Sequence, residues 1–379
     1  MATMDSNTPP QLVNWDLAAS TAAKLAPPGP RMSAREVSAI VENLRELADR
    51  SVEHVHRITG LEAARDLRDS DLIIVDRASW SKANTQSFRK LMAPAIGHLM
   101  ETRAEQLKAA NAALGGGVTG AQMGAILAFL SSKVLGQYDP FVPNARASGG
   151  RLMLVAPNIV SVEQELNVEP TDFRLWVCLH EQTHRVQFAA APWLKDHMLE
   201  HISELTVGLA DKAESLAERL TNALKSLPKG NAQPGGQSGS AATSDDDGVP
   251  AGDGGILSLL QSPEDKERLS HLTAVMSLLE GHANVVMDAV DASIVPTVKT
   301  IRRRFNARGK TRGPVEKFIR RLLGLDAKMR QYSDGSKFVR AVVDSVGMEG
   351  FNRVWERAEN LPTEKEIHAP QQWITRMGL

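Results

Sequence analysis

The chain has 379 residues, 42% of them apolar and 23% charged, the balance of a folded globular protein long enough to bury a sizeable core. Basic and acidic side chains nearly cancel to a net charge of -1, so no global field points to nucleic acid as a partner. A single cysteine, Cys178, excludes an intramolecular disulfide and fits a reducing, cytoplasmic setting, and residues 1–30 lack the basic start and apolar run of a signal peptide.

Residues 1–30 read as an N-terminal tail punctuated by Pro27, Pro28 and Pro30, with a short helix from Trp15 to Leu25. Residues 31–379 read as one domain. Ser33 and Glu36 have the spacing of a capping box and open a helix that ends near Gly60. Leu72-Ile73-Ile74-Val75, β-branched and bounded by Asp71 and Asp76, reads as a buried strand. Helices are expected over about 86–107, with a bend at Pro94, and over about 121–135. The weakly charged stretch 109–132 is compactly apolar only over 123–130, well short of the roughly twenty residues that span a bilayer, so it reads as a buried helix and no membrane association is expected. Residues 151–156 form the second strand candidate. Pro170, Thr171 and Asp172 then open a helix that Pro192 ends or bends. Residues 228–255 are dominated by Gly, Ser, Pro, Ala and Asp, cannot bury enough apolar surface to offset their ordering entropy, and read as a disordered loop. After it, Ser262-Pro263-Glu264-Asp265 carries an N-cap serine, proline at the first helical position and acids in the first turn, and starts a helix expected to reach about Ala292. The fold class is mainly α with a small β-sheet.

The helix opened at Pro170 carries His180-Glu181-Gln182-Thr183-His184, an H-E-x-x-H pattern. Positions i and i+4 share one helix face, so both imidazoles can reach one cation, with Glu181 beside them to handle the proton of an activated water. Two histidines make a weak site, and a third ligand is required. The metzincin spacing would put Gly at 187 and His at 190, where this chain has Gln187 and Ala190, so that class is excluded. Glu280 lies in an apolar helical run, where a carboxylate is costly unless it is paired, protonated or metal-bound. His180, His184 and Glu280 are therefore the expected ligands of a zinc ion, with water in the fourth position. Asn284 and Asp288, one and two turns beyond Glu280, are candidates to hydrogen-bond the free ring nitrogen of a ligating histidine. His282 is a rival ligand but lies about 200° round the helix from Glu280. His197 and His201 form another i, i+4 pair among charged residues and read as a solvated helix face.

Around these motifs, at 179–188 and 279–288, and again at Val75-Asp76-Arg77-Ala78-Ser79-Trp80 and Lys328-Met329-Arg330-Gln331-Tyr332, the sequence resembles a mostly bacterial family of zincin-like metallopeptidases, some of whose members carry a deazaflavin-coenzyme-biosynthesis label. The likeness runs from about Val13 to Trp373 apart from the glycine- and serine-rich insert. It implies a zincin-like fold built around the H-E-x-x-H helix, a zinc ion and hydrolase chemistry, and it specifies no substrate. Where thermolysin-like enzymes have Asp four residues after the ligand glutamate, this chain has Asn284. Tyr332 and His282 lie in the segments that carry the resemblance and are candidates to stabilise an oxyanion. The expected activity is peptide or protein hydrolysis with Glu181 as general base. The rival expectation is a zincin-fold scaffold that holds zinc without turnover. The strand at 151–156 could lie along the cleft and pair with an extended peptide, or equally be a plain core strand.

Three other signals are discounted. Gly115–Gly120 matches G-x-G-x-x-G but follows an Ala-rich helical stretch rather than a strand. Gly309-Lys310-Thr311 lacks the earlier glycine of a P-loop, having Arg304 there. The basic run at 302–312 reads as a solvated face, and Cys178 as a small buried side chain.

Overall fold

The computed structural model describes residues 13–103, 117–142, 149–226, 262–308 and 325–379, with helical backbone alone over 117–119, 212–226 and 325–333. The segment 228–255 lies outside the described residues, as do Gly115 and Gly116 of the G-x-G-x-x-G match and Gly309-Lys310-Thr311.

Helix α1 (Trp15–Leu25) is capped by Asn14, whose side chain accepts from the Leu17 amide, and it buries Ala18 and Ala22. Helix α2 (Ala34–Thr59) has the expected capping box: the Ser33 hydroxyl accepts from the Glu36 amide and the Glu36 carboxylate accepts from the Ser33 amide. Gly60 closes this helix. Strand β1 (Asp71–Val75) follows, then α3 (Arg77–Thr102), which starts nine residues before the expected position 86. The reason is Asp76, whose carboxylate accepts from the Ser79 amide at 2.7 Å and caps the first turn. Pro94 sits inside α3, which continues through it. Helix α4 (Gly117–Ser131) covers the apolar stretch. Among the described residues no helix is long and apolar enough to cross a membrane.

Strands β2 (Gly136–Asp139) and β3 (Arg151–Val155) complete a three-stranded sheet of order β1-β3-β2. β3 pairs parallel with β1 (Ile73 opposite Met153) and antiparallel with β2 (Gly136 opposite Leu154). All five β3 residues are buried, Leu152, Met153, Leu154 and Val155 as the apolar run of a central strand requires and Arg151 through its pairing with Asp139. Both edges of β3 are therefore taken, so of its two readings the core strand holds and the peptide-pairing strand does not; β2 is the edge strand beside the H-E-x-x-H helix. Helix α5 (Ala156–Leu166) leaves β3 directly and precedes α6 (Pro170–Ala190), the H-E-x-x-H helix.

Helix α7 (Leu194–Ser226) and helix α8 (Pro263–Ala289) run antiparallel along part of their length: Arg268 pairs with Glu204, and Gly208 lies against Asp265. The start of α8 is as expected, with the Ser262 hydroxyl accepting from the Asp265 amide. Helices α9 (Val298–Arg308), α10 (Leu325–Asn352, broken at Gly347), α11 (Glu364–His368) and α12 (Pro370–Met377) close the core around Phe338, Phe351, Trp355 and Trp373. The basic run on α9 is solvated in part: Arg303 and Arg308 are exposed, Arg308 pairing with Glu165, whereas Arg302 donates to the carbonyls of Met287 and Val290 at the end of α8 and Arg304 to those of Leu166 and Asn167 at the end of α5; Lys310 and Arg312 lie outside the described residues. Guanidinium groups there satisfy carbonyls that a helix terminus leaves unpaired.

Candidate metal centre

Helix α6 is locked in place by one face. Cys178 is fully buried against the Leu44 carbonyl, and burial pushes its thiol far above the usual range, so it is a packing residue. The Gln182 amide donates to the Ala48 carbonyl at 2.8 Å, and Arg185 reaches the Asp69 carboxylate at 2.9 Å and the Leu67 carbonyl at 3.1 Å. These bonds fix the rotation of the helix about its axis, and so where its other residues, His180, Glu181, His184 and Gln187, can reach.

Helix α8 meets α6 there. Its Leu278, Leu279, Ala283 and Val286 are buried, and the Glu280 carboxylate comes within 3.9 Å of His184 Nε2. One donor atom each from His180, His184 and Glu280 all lie within 4.8 Å of one another. The two rings are edge-on at 4.9 Å between centroids, as an i, i+4 pair sharing a ligand would be.

Gln187 sets the histidine tautomer. Its amide nitrogen donates to the Leu279 carbonyl at 2.8 Å and to His282 Nδ1 at 3.0 Å. Its amide oxygen is thereby turned to His184 Nδ1, 3.0 Å away, and must accept a proton from it. His184 Nε2 is left with a free lone pair facing Glu280. Burial, and next to it the His184 ring, pushes His180 down to about 3, so this imidazole is neutral and able to ligate at any ordinary pH.

Glu181 is buried beside this group of side chains. Burial first, and the Glu280 charge second, push its carboxyl up to about 8. Its side chain rests on the β2 backbone: a Cβ on Gly136 would stand 2.5 Å from Glu181 Cγ and 2.7 Å from its carboxyl carbon. Only glycine leaves room at that position.

A sequence profile of zincin-like metallopeptidases matches residues 13–374, nearly the whole chain. The chain belongs to this family. A crystal structure of a candidate hydrolase with a novel fold from Chloroflexus aurantiacus is similar at 29% identity and a TM-score of 0.62, over 97% of this chain and 99% of that one. No curated protein matches the chain. Zincin-like metallopeptidases hold a metal ion, usually zinc, and the residues here fit one. Two imidazoles and a carboxylate are a borderline-soft donor set suited to zinc. The 3.9 Å between His184 Nε2 and Glu280 is near the ~3.3 Å that separates neighbouring ligands on a tetrahedral ion. Gln187 supplies the partner that orients a ligating histidine.

The other expected residues of this zincin-like centre lie elsewhere. Asn284 donates to the Ser336 hydroxyl at 3.2 Å, and Asp288 pairs with Arg340 at the surface, so neither orients a histidine; Gln187 does. Gln187 was legible as a partner from its i+3 spacing to His184. His282 is fully buried between Phe351 and Trp355, each 5.3 Å away, and is held neutral by burial, its position closed to an oxyanion. The Tyr332 side chain lies outside the described residues. His197 and His201 do not form a solvated face: they meet His271 of α8, with His197 Nε2 and His271 Nε2 at 2.7 Å.

Proposed function

We propose that this zincin-like protein is a zinc-dependent hydrolase of amide bonds, most directly a peptidase. The observation that carries the reading is the buried Glu181 carboxyl beside a convergent His180, His184 and Glu280 set. Holding a metal requires the last three alone; an acid poised next to them is a proton carrier. A zinc ion held by these three side chains would polarise a scissile carbonyl and acidify a water.

The chain's own groups then divide the work. Gln187 keeps His184 in the tautomer that presents Nε2. Glu181, whose carboxyl is raised by burial and by the Glu280 charge, takes the water's proton and returns it to the leaving nitrogen. Gly136 lets the β2 backbone lie against Glu181 without displacing it. Among the described residues β2 has no strand on its outer edge, so its unpaired amides and carbonyls suit an extended peptide, and Tyr138 and Phe188, 5.5 Å apart between ring centroids, add an apolar contact beside it.

The test is cleavage of a broad peptide library by zinc-loaded protein, with Glu181→Gln as control. Cleavage by wild type that falls by about 10²-fold or more in the variant, at equal zinc content, is the expected outcome. A stoichiometric zinc protein that cleaves nothing in the library would make the fold a scaffold instead.

A further inference from the structure

Helices α7 and α8 bring three imidazoles together away from the H-E-x-x-H centre. His197 and His201 stand one turn apart on α7, and His271 faces them from α8. The ring centroids are 4.6 Å apart for His197–His201, 5.0 Å for His197–His271 and 4.6 Å for His201–His271. One nitrogen from each of the three lies within 4.8 Å of the others. We infer that His197, His201 and His271 form a second metal site, for zinc or a neighbouring late first-row divalent cation, that clamps α7 to α8.

The hydrogen-bonding inventory favours a cation over a purely structural cluster. His197 Nε2 and His271 Nε2, 2.7 Å apart, can share one proton, which satisfies a single pair. His201 Nδ1 is buried and has no hydrogen-bond partner; the nearest carboxylate oxygen, of Glu204, is 4.0 Å away and Arg268 already holds it at 2.9 Å. Orphaned ring nitrogens are costly, and three imidazoles packed this closely resist protonation of any one of them. A divalent cation resolves both costs, since it takes a lone pair from each ring and needs no proton. The His197–His271 nitrogens would open from 2.7 Å to about 3.3 Å, a small side-chain rotation, to accept bonds of about 2.05 Å in tetrahedral geometry. An all-imidazole set suits zinc, nickel or copper and not calcium or magnesium, which seek oxygen. Trp193, edge-on to His197 at 5.8 Å, shields one side.

The site sits at the start of the antiparallel α7–α8 pair, ahead of the Glu204–Arg268 bridge and the Gly208–Asp265 contact. Glu280 lies nine residues beyond His271 on the same helix, about 13.5 Å along its axis. The clamp therefore fixes the helix that supplies the third ligand of the other centre, yet its own ligands are distinct from it and its existence does not depend on that reading.

Metal-stripped full-length protein, titrated with zinc and with cobalt as a visible probe, decides the matter. Wild type is expected to bind two equivalents; His184→Ala/Glu280→Ala is expected to keep one, and His197→Ala/His271→Ala to lose one. Zero equivalents in the first variant, or two in the second, overturns the inference. If that second double variant fails to fold by circular dichroism, His271→Asn, which keeps a polar side chain in the α7–α8 seam, replaces it: loss of one equivalent from the folded protein supports the clamp, and an unchanged count contradicts it.

Discussion

Gln187 is the residue whose replacement separates metal holding from folding. It contacts His184, His282 and the Leu279 carbonyl, and replacing it by Leu keeps volume while removing the acceptor for His184 Nδ1. Gln187→Leu is expected to weaken zinc at the His180/His184/Glu280 centre roughly 10–100-fold, measured by chelator competition, in protein that still folds. Gly136→Ala makes the complementary prediction. The added methyl would push Glu181 aside, so turnover falls by about 10²-fold while zinc content stays unchanged. An equal loss of zinc in that variant would mean Glu181 and the ligands move as one unit. Glu280 was legible in the sequence because a carboxylate in an apolar helix needs a reason. Gly136 and His271 were not, because each acquires its role from a partner on another element, and the residues nearest them in sequence give no sign of it. The same cause misled the reading of Asn284 and Asp288: helix spacing put them on the right face, but Ser336 and Arg340 of α10 claim their side chains.

At the scale of elements, the approach of α8 to α10 decides where Glu280 stands. A Cβ on Gly281 would come within 2.3 Å of the Gly335 backbone, so the two helices cross in direct backbone contact one residue from the ligand. Gly281→Ala is expected to destabilise the fold by about 1–3 kcal/mol, read from urea unfolding, and to shift Glu280 enough to lower zinc affinity. Elements with their own local signals were legible: the Ser33–Glu36 capping box, the Leu72–Val75 run, the Pro170 and Ser262 helix starts. β2 and α5 were not. β2 is four residues, Gly136 to Asp139, half of them polar, and it exists because β3 offers it an edge. α5 follows β3 without a turn and has no side-chain N-cap, so no boundary marks it in the sequence. Of the two readings of the strand at 151–156, the sheet supports the core strand: its apolar residues 152–155 are buried with a neighbouring strand on each side, so it has no edge to offer a substrate.

For the whole molecule, the H-E-x-x-H centre ties a helix pinned to α2 against a helix packed on α10, so metal loading should be felt as global stability. Chelation is expected to lower the melting temperature and zinc to restore it, with a gain of roughly 4 kcal/mol at a thousandfold excess over the dissociation constant. The most direct test of the central claim is the zinc content and hydrolytic activity of His184→Ala compared with wild type at matched fold. The account predicts that the variant loses one equivalent of zinc, the one held with His180 and Glu280, together with all cleavage. A His184→Ala protein that binds as much zinc as wild type and cleaves as fast would contradict it.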